Sequence, residues 1–579
     1  MVGDAEMVRR LFIIEAPGKY RQFFRAASEA FPNDDVTVWA TRGMIADLPT
    51  TETGIDLETY KVAKELVNTN GRGMLERILE HTDEAGNLTF DEITVCTDPD
   101  MEGEHIAKQI FRLLDPYLGN SVIRRGAIDC ITAQSLINME TSPAPDESVL
   151  AAREFRRVTD RLIPLVLADN GEIDEWTGMG RVQMQMLNLL DGVQNTWDKY
   201  TVNGHFRYKG SAFYFDGTLK TEEERDAFLD LLRQAKKGEA VFERSEEKAV
   251  VPPPNPVTYA SLFKRCGHEY PLDIKEEIQH AYMNGLISYP RSMTPLYSPL
   301  AKKQIQDISR ELHLGALIQK DAMDAPSLSV AELYAESSGH MGVHPTGTEA
   351  LPFILKNPAN PEIPIAKYVV SDACASQMRH AVVLKKRLRI QDKNTGFAIT
   401  GERWSVKERG FLAVYAQTQT LSPFPQIFPD AEPPLFVAER HPSKNEIIGL
   451  CHEKGIGQPS QAVYTLTNLC TKGLVSNYML LTEKGRNILS YIRNKAPFLL
   501  DTEFSESMNQ TIREIRKHPS DYTALALAFA RKFSLLPPVK ADFDGIVAKH
   551  NFNDNKRHPI AENISEEPVG QDVSKMSLN

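Results

Sequence analysis

Four carboxylates occupy every second position of one short stretch of the chain. Asp98, Asp100, Glu102 and Glu104 lie within the segment TVCTDPDMEGEHIAKQIF. Two like charges about 4 Å apart repel by roughly 4 kcal/mol at an effective dielectric of about 20. A solvated loop avoids this repulsion by splaying its side chains, whereas a packed turn needs a cation among them. Since oxygen ligands suit Mg²⁺ or Ca²⁺, the spacing predicts a divalent-metal site.

Two other interpretations of this stretch differ in strength. A helix–loop–helix calcium site fits only its first half, because the twelfth loop position is Gln109 instead of a bidentate Glu. A solvated acidic loop that binds nothing stays open as the alternative on this stretch alone.

The flanking residues predict a strand before the acidic run and a helix after it. Ile93 and Val95 alternate on one face of DEITVCTD, and Ile106, Ile110 and Leu113 follow a helical spacing in EGEHIAKQIFRLL. The carboxylates therefore lie at a strand-to-helix junction, where open α/β sheets place their sites.

A second junction is predicted in IIEAPGKYRQF. Glu15 ends a buried strand, Gly18 permits a close backbone approach, and Lys19 begins the next helix. A strand-end Glu opposite the Asp98 and Asp100 turn would complete a metal cage. Taken alone, Glu15 is equally an acid at a helix entry.

NGLISYPRSMTPLYS and SSGHMGVHPT contain further candidates for chemistry. Tyr289 is nucleophilic only as a phenolate, and ionising it near pH 7 costs roughly 4 kcal/mol from a reference pKa of about 10. A nearby cation could supply much of this cost; the alternative is a core tyrosine. His340 and His344 could bind phosphate or a metal, although the zinc-protease motif H-E-x-x-H is absent.

Composition bounds the class of protein. The chain has 579 residues, of which 42% are hydrophobic and 25% charged, as in globular proteins with several domains. No apolar run of membrane-spanning length is present, and MVGDAEMVRR lacks the apolar core of a secretory signal. The scattered cysteines contain no C-x₂-C pair, which argues against a zinc ribbon and for a reducing cytoplasm.

The net charge of −12 counts mildly against nucleic acid as a partner, but it hides basic segments. Arg153, Arg157 and Arg161 recur at helical spacing in AAREFRRVTDRLIPLVL, and KKRLRIQDK is a second basic run. Such an arginine face suits phosphate binding, whereas a solvated charged helix face is the alternative.

The pattern along the chain predicts discontinuous domains. A parallel α/β domain covers residues 1–147, and helical and β-rich segments then alternate. The helical segments are 148–203, 257–380 and 426–536, the β-rich ones 204–256 and 381–425, and 537–579 forms a disordered polar tail. No G-x-x-x-x-G-K-[ST] phosphate loop is present, so nucleotide-driven motor activity is not expected.

The order of several motifs is more specific than any one of them. IIEAPGK, ATRGMIADLP, CTDPDMEGEHIA, GRVQ, GLISYPRS, GHMGVHPT and GIGQPS together resemble the motif series of type IA DNA topoisomerases. The resemblance covers about residues 10–530 and is closer to the topoisomerase III branch. It implies an amino-terminal Toprim domain and four domains around a DNA-sized hole, with a β domain that the chain visits twice.

The resemblance also assigns roles to residues. It implies that Mg²⁺ is held by Glu15, Asp98, Asp100 and Glu102. It implies that catalysis uses Tyr289, Arg291, Lys19, Glu15 and His340. Strand-binding roles fall to Arg161, Arg181 and Gln183, and we extend the predicted DNA contacts to Arg153, Arg157 and His344.

Several positions depart from the family pattern. They lose polar or charged groups near the expected DNA path, which affects rate and sequence preference more than the basic reaction. The carboxy-terminal zinc ribbons of many relatives are not expected here, because the sequence has no C-x₂-C pair. The departing positions are Met44, Ala46, Ser292, Met293, Thr294 and Gln458.

We therefore predict an ATP-independent topoisomerase that cleaves single-stranded DNA through a 5′-phosphotyrosine. Its expected substrates are single-stranded and underwound DNA, with RNA as a further candidate. A cytoplasmic, nucleoid-associated bacterial monomer without membrane contact is expected. The competing predictions are a Toprim nuclease or primase, and a DNA-binding protein that has lost catalysis.

Overall fold

The structure is a computed structural model of the chain. It describes residues 7–50, 52–128, 130–168, 179–266, 274–290, 295–319, 342–356, 362–420, 424, 427, 434–457 and 459–536. The predicted polar tail lies outside the described residues.

The amino-terminal part is a five-stranded sheet of order β2-β1-β7-β8-β9, in which only β9 runs antiparallel to its neighbour. The strands are β1 Arg9–Ile14, β2 Asp35–Ala40, β3 Ala46–Asp47, β4 Ile55–Asp56, β5 Lys61–Val62, β6 Leu66–Val67, β7 Glu92–Val95, β8 Val122–Ala127 and β9 Glu140–Ser142. The helices are α1 Tyr20–Ala30, α2 Thr69–Glu80, α3 Met101–Leu114 and α4 Ala133–Ile137. The two predicted strand-to-helix junctions are confirmed.

Strand β1 is buried from Leu11 to Ile14 because helices cover both faces of the sheet. Leu11 packs in one core with Ile106 of α3. Phe12 packs in the other with Phe23 of α1. The carboxyl ends of β1 and β7 therefore meet at one edge, flanked by the starts of α1 and α3.

A six-stranded antiparallel sheet of order β12-β13-β14-β11-β10-β15 lies later in the chain. Helices α5 Glu147–Leu167 and α6 Arg181–Thr196 precede it, and α7 Glu222–Lys237 lies between its second and third strands in sequence. The strands are β10 Tyr200–Tyr208, β11 Ser211–Leu219, β12 Val241–Val251, β13 Ala381–Gln391, β14 Ala398–Glu408 and β15 Phe436–Glu439.

This sheet confirms that the chain returns to one β domain, but the predicted helical character of 426–536 is wrong at β15. Phe436–Glu439 pairs with β10, so the chain visits the sheet a third time. Four residues are too few to show a strand periodicity, and pairing with an existing sheet edge stabilises them. The toroidal arrangement and the domain limits stay predictions.

The remaining helices occupy the segments before β13 and after β14. They are α8 Tyr259–Cys266, α9 Ile274–Met283, α10 Pro299–Glu311, α11 Leu351–Lys356, α12 Glu362–Ser376, α13 Ala413–Thr418, α14 Lys444–Glu453, α15 Pro459–Thr471, α16 Glu483–Lys495, α17 Thr502–Lys517 and α18 Tyr522–Lys532. Among the described residues, no helix has the length and apolarity needed to span a bilayer.

Candidate active site

The acidic run forms a packed turn between β7 and α3. The Asp100 carboxylate caps α3 by accepting a hydrogen bond from the Gly103 amide at 2.8 Å, and the Thr97 hydroxyl donates to the Gly103 carbonyl at 2.7 Å. A Cβ atom on Gly103 would lie 1.9 Å from the Asp98 carbonyl oxygen, so only glycine fits here. The solvated-loop alternative is therefore wrong.

The four carboxylates of this turn have different partners. Asp98 is 9% exposed and pairs with the Lys19 ammonium. Glu102 lies 3.6 Å from the guanidinium of Arg153. Glu104 is buried, and its side chain points away from these two cations.

Arg125 of β8 explains the position of Glu104, and sequence reasoning missed it. Its Nε donates to Glu104 at 2.8 Å, and its other nitrogens donate to the carbonyl oxygens of Val95 at 3.0 Å and Asp98 at 3.2 Å. Glu104 also accepts from the Asp146 amide at 3.0 Å. Glu104 thus has a structural role in the turn. The signal for this ion pair in the sequence was an arginine, Arg125, at a buried position of a strand.

Lys19 connects the two junctions. It ends a 3₁₀ turn, Pro17–Lys19, that follows Glu15, and the residue is 4% exposed. Its ammonium pairs with Asp98 and lies 5.0 Å from the ring centroid of Tyr282 and 5.6 Å from that of Tyr289. One buried cation therefore pairs with an acid of the predicted metal cluster and lies beside the ring of the predicted nucleophile.

The charges of the site perturb one another. Burial, together with the negative charges of Asp98 and Asp100, raises the pKa of Glu15 to about 8. Burial disfavours the charged form of Lys19, but Asp98 outweighs it and holds the pKa of Lys19 above its ordinary value. For Glu102, whose side chain is 47% exposed, partial desolvation is outweighed by Arg153 and other cations, which lower its pKa.

Tyr289 reaches the acidic turn from a segment 189 residues away in sequence. The residue is 2% exposed, and its hydroxyl lies 3.4 Å from Oδ2 of Asp100, a long O–H···O contact. Its ring packs edge-on against Tyr282, with centroids 5.3 Å apart. Tyr282, seven positions earlier, is a second aromatic of the site that sequence reasoning missed.

His344 holds the Tyr289 segment through its backbone. Its carbonyl accepts from the Ser288 amide at 2.8 Å, and its amide donates to the Ser288 hydroxyl at 3.0 Å. The side chain is fully buried, with Nδ1 3.0 Å from the Pro345 carbonyl. A DNA contact by His344 therefore stays a prediction that requires the site to open. Arg291, His340, Ser292, Met293, Thr294 and Gln458 lie outside the described residues.

The predicted arginine face of α5 packs against protein. Arg153 contacts the Met44 sulfur at 3.0 Å, and Arg157 pairs with Asp47. Arg161 donates to the Pro49 carbonyl at 2.7 Å and to the Glu52 carbonyl at 3.1 Å. In this conformation the face contacts segment 44–50 and Glu52, and its predicted contact with DNA would replace these partners.

Arg181 and Gln183 begin α6 and also contact protein. Arg181 is 9% exposed and lies 3.5 Å from Asp160. The side chain of Gln183 accepts from the Gly180 amide at 3.2 Å, which caps the helix. Their strand-binding roles stay predictions.

The donor chemistry of the predicted metal ligands suits a hard cation. Glu15, Asp98 and Asp100 are close enough to raise the pKa of Glu15, as expected where a cation would relieve their repulsion. Among the described residues, however, no three His, Cys, Asp or Glu side chains are gathered in metal-ligating geometry. In this conformation the Lys19 ammonium is the cation at Asp98.

Comparison with known proteins adds three findings. A family model described as DNA topoisomerase matches residues 144–526, and a Toprim domain model matches residues 10–129. The fold is similar to that of full-length topoisomerase I from Thermotoga maritima, with a TM-score of 0.63. That match covers 90% of this chain and 89% of the other at 18% sequence identity, which supports the fold alone.

Proposed function

This chain belongs to the type IA DNA topoisomerase family and carries an amino-terminal Toprim domain, and from this premise we propose how it acts. Tyr289 cleaves single-stranded DNA, holds the break as a 5′-phosphotyrosine, and reseals it after another strand has passed. Negative supercoils are relaxed or linked DNAs separated by this cycle. Strain in underwound DNA drives its direction.

One observation carries the proposal. The Tyr289 hydroxyl lies 3.4 Å from Asp100, and Lys19 lies beside the Tyr289 ring, although these residues come from distant parts of the chain. The proposed nucleophile, a buried cation and acidic side chains therefore lie together at one edge of the Toprim sheet, which supports the proposal. Phosphoryl transfer needs these three elements, because it relies on positioning and electrostatic stabilisation.

The reaction exchanges one ester for another. The phenolic oxygen of Tyr289 gives up its proton, for which the Asp100 carboxylate 3.4 Å away is the acceptor, and forms a bond to phosphorus while the bond from phosphorus to the 3′-oxygen breaks. The Lys19 ammonium stabilises the negative charge that develops on the phosphoryl oxygens, a role that the resemblance also assigns to Arg291. The leaving 3′-oxygen takes a proton, for which Lys19 and Glu15 are the two candidates, and religation reverses each step.

No nucleotide is consumed in this exchange, in keeping with the missing phosphate loop. Mg²⁺ would be held by Glu15, Asp98, Asp100 and Glu102. When bound, it would supply positive charge that holds the scissile region, above all for religation. Because Tyr289 is 2% exposed, DNA reaches it only after the Tyr289 segment separates from the acidic turn.

The substrates proposed are single-stranded and underwound DNA, with RNA as a further candidate. We also propose a monomer that acts at the bacterial nucleoid, and the topoisomerase III branch as the nearer relative. These finer proposals rest on the motif resemblance described above.

A trapping assay tests the reaction. The protein is mixed with Mg²⁺ and a single-stranded oligonucleotide labelled at either end, quenched with detergent and run on a denaturing gel beside Tyr289→Phe. We expect label on the protein only for the fragment downstream of the cut and only with Tyr289. Free cleavage products that persist in Tyr289→Phe would indicate a metal nuclease instead, and binding without cleavage would indicate a protein that has lost catalysis.

A further inference from the structure

Two aromatic side chains are stacked on the outer face of α1. Tyr20 is 40% exposed and Phe24 is 36% exposed, and their rings are 6.0 Å apart and nearly parallel, at 8°. The core contacts of α1 are made by Phe23, Ala26 and Ala27 instead. Because the fold does not need this exposed pair for its core, the pair indicates a binding surface.

Four arginines accompany the pair. Arg21 and Arg25 are exposed on the adjacent row of the same helix. Arg77 lies within electrostatic range of both Tyr20 and Arg42, although the charge of Glu80 also reaches it. In the described part of the chain, no carboxylate oxygen lies within the 4.0 Å ion-pair distance of these four guanidinium groups. In a chain of net charge −12, this cluster is available for anions.

The surface is continuous with the candidate active site. Helix α1 begins at Tyr20, directly after Lys19. The Arg42 amide donates to the Glu15 carbonyl at 2.9 Å, and the Arg77 guanidinium donates to the Ala40 carbonyl at 3.1 Å. Both contacts lie at the carboxyl ends of β1 and β2, where the site is.

We propose that Tyr20 and Phe24 form a stacking platform for bases of the single strand that extends from the active site, with the arginines neutralising its phosphates. Aromatic faces stack on any base, and cations beside them follow the backbone, so the combination suits single-stranded DNA without base selection. An acidic peptide would use the arginines but would leave the parallel rings without a partner. The inference rests on the proposed function, since it assumes that the adjacent site acts on single-stranded DNA.

Abasic scanning tests the platform. Binding is measured in a Tyr289→Phe background, so that no cleavage occurs, with oligonucleotides in which one abasic position is moved stepwise along the strand. We expect certain abasic positions to weaken binding by about 5- to 150-fold, the range for one stacked base. The Tyr20→Ala/Phe24→Ala double variant should bind the intact oligonucleotide that much more weakly and should lose its sensitivity to those positions.

Matched variants separate stacking from charge and from folding. Arg21→Ala/Arg25→Ala should reduce the slope of log affinity against log salt by roughly 0.7 for each phosphate that is no longer neutralised, whereas the aromatic variant should leave the slope unchanged. Tyr20→Leu/Phe24→Leu keeps apolar cover but lacks the π faces, and should fail like the alanine variant. Phe436→Ala removes an aromatic that is 39% exposed on β15 and should have no effect.

The platform would be overturned if the Tyr20→Ala/Phe24→Ala variant kept its affinity and its sensitivity to abasic positions. It would also be overturned if Tyr20→Leu/Phe24→Leu bound as tightly as the protein with both aromatic side chains. The proposed function is judged separately, by covalent trapping in the protein with Tyr289 intact. The binding assays can therefore reject the platform while trapping supports the topoisomerase reaction. Equally, trapping can fail while the binding assays support the platform.

Discussion

The Lys19 ammonium forms a buried ion pair with Asp98 while it lies 5.6 Å from the ring centroid of Tyr289. One cation therefore neutralises an acid of the predicted metal cluster and adjoins the predicted nucleophile. Because burial alone would favour loss of the Lys19 proton, the charge of Asp98 is what keeps this cation in place.

Replacement of Lys19 tests this relationship. We expect Lys19→Met to lower the rate of adduct formation by about 10²- to 10³-fold, the usual loss for one stabilising donor. Leaving Asp98 buried without its partner should also lower the free energy of unfolding by roughly 3–5 kcal/mol. Rates of covalent trapping and denaturant unfolding measure the two effects.

Lys64→Met is the control for Lys19, because Lys64 pairs with Glu52 on the surface, where their side chains are 53% and 40% exposed. Lys64→Met should lower the free energy of unfolding by about 1 kcal/mol or less and should leave cleavage unchanged. If Lys19→Met and Lys64→Met formed adducts at equal rates, Lys19 would have no role in the reaction.

The turn that presents Asp98 and Asp100 depends on Gly103. Gly103→Ala places a Cβ 1.9 Å from the Asp98 carbonyl, so the backbone must shift. We expect a loss of about 1–3 kcal/mol in unfolding free energy and a larger loss of cleavage. Gly73 lies within α2 with open space around it, so Gly73→Ala should raise stability by roughly 0.5–1 kcal/mol. Normal cleavage by Gly103→Ala would show that the turn geometry is not required.

Arg125 supports the same turn from β8. Arg125→Met leaves Glu104 buried without its cation, and we expect a loss of roughly 3–5 kcal/mol in unfolding free energy. Arg124→Met, at the exposed neighbouring position of the strand, should change stability by about 0.5 kcal/mol or less. Denaturant unfolding of both variants decides the matter, and equal stabilities would contradict the role assigned to Arg125.

The contact between Arg157 and Asp47 competes with the DNA binding proposed for Arg157. Asp47→Asn weakens the closed contact, so we expect tighter binding of a single-stranded oligonucleotide. Arg157→Ala should weaken binding and reduce the salt slope by roughly 0.7. The comparison variant is Asp230→Asn, whose partner Arg233 is 69% exposed. Weaker binding by Asp47→Asn would indicate that the closed contact is itself needed for DNA binding.

Chelation of divalent cations should separate cleavage from religation. Lys19 already supplies a cation beside Tyr289, so we expect adducts to form in a chelator and to reverse only after Mg²⁺ is added. Glu102→Gln should raise the Mg²⁺ concentration required for reversal, whereas Glu76→Gln on α2 should not. If the adducts reversed completely in the chelator, religation would not require the metal.

Much of the candidate site could be predicted locally. Glu15 and the acidic run lie at strand-to-helix junctions, and both junctions follow from short periodic patterns around Ile14 and Ile93. The pattern in α5 also placed Arg153, Arg157 and Arg161 on one face. Periodicity defines such a face without saying what covers it, so the contacts with segment 44–50 and with Glu52 could not be foreseen.

The sequence by itself determined which groups are available: oxygen ligands at two junctions, a lysine after a glycine, and a tyrosine in a motif series typical of one family. Only the tertiary structure decided that Asp98 pairs with Lys19, that Glu104 belongs to Arg125, and that Tyr289 meets Asp100 in a closed site. The physical reason is the distance along the chain over which each property is determined. Secondary structure follows from neighbours within a few residues, whereas the charge and burial of a side chain depend on segments that folding brings together across the whole chain.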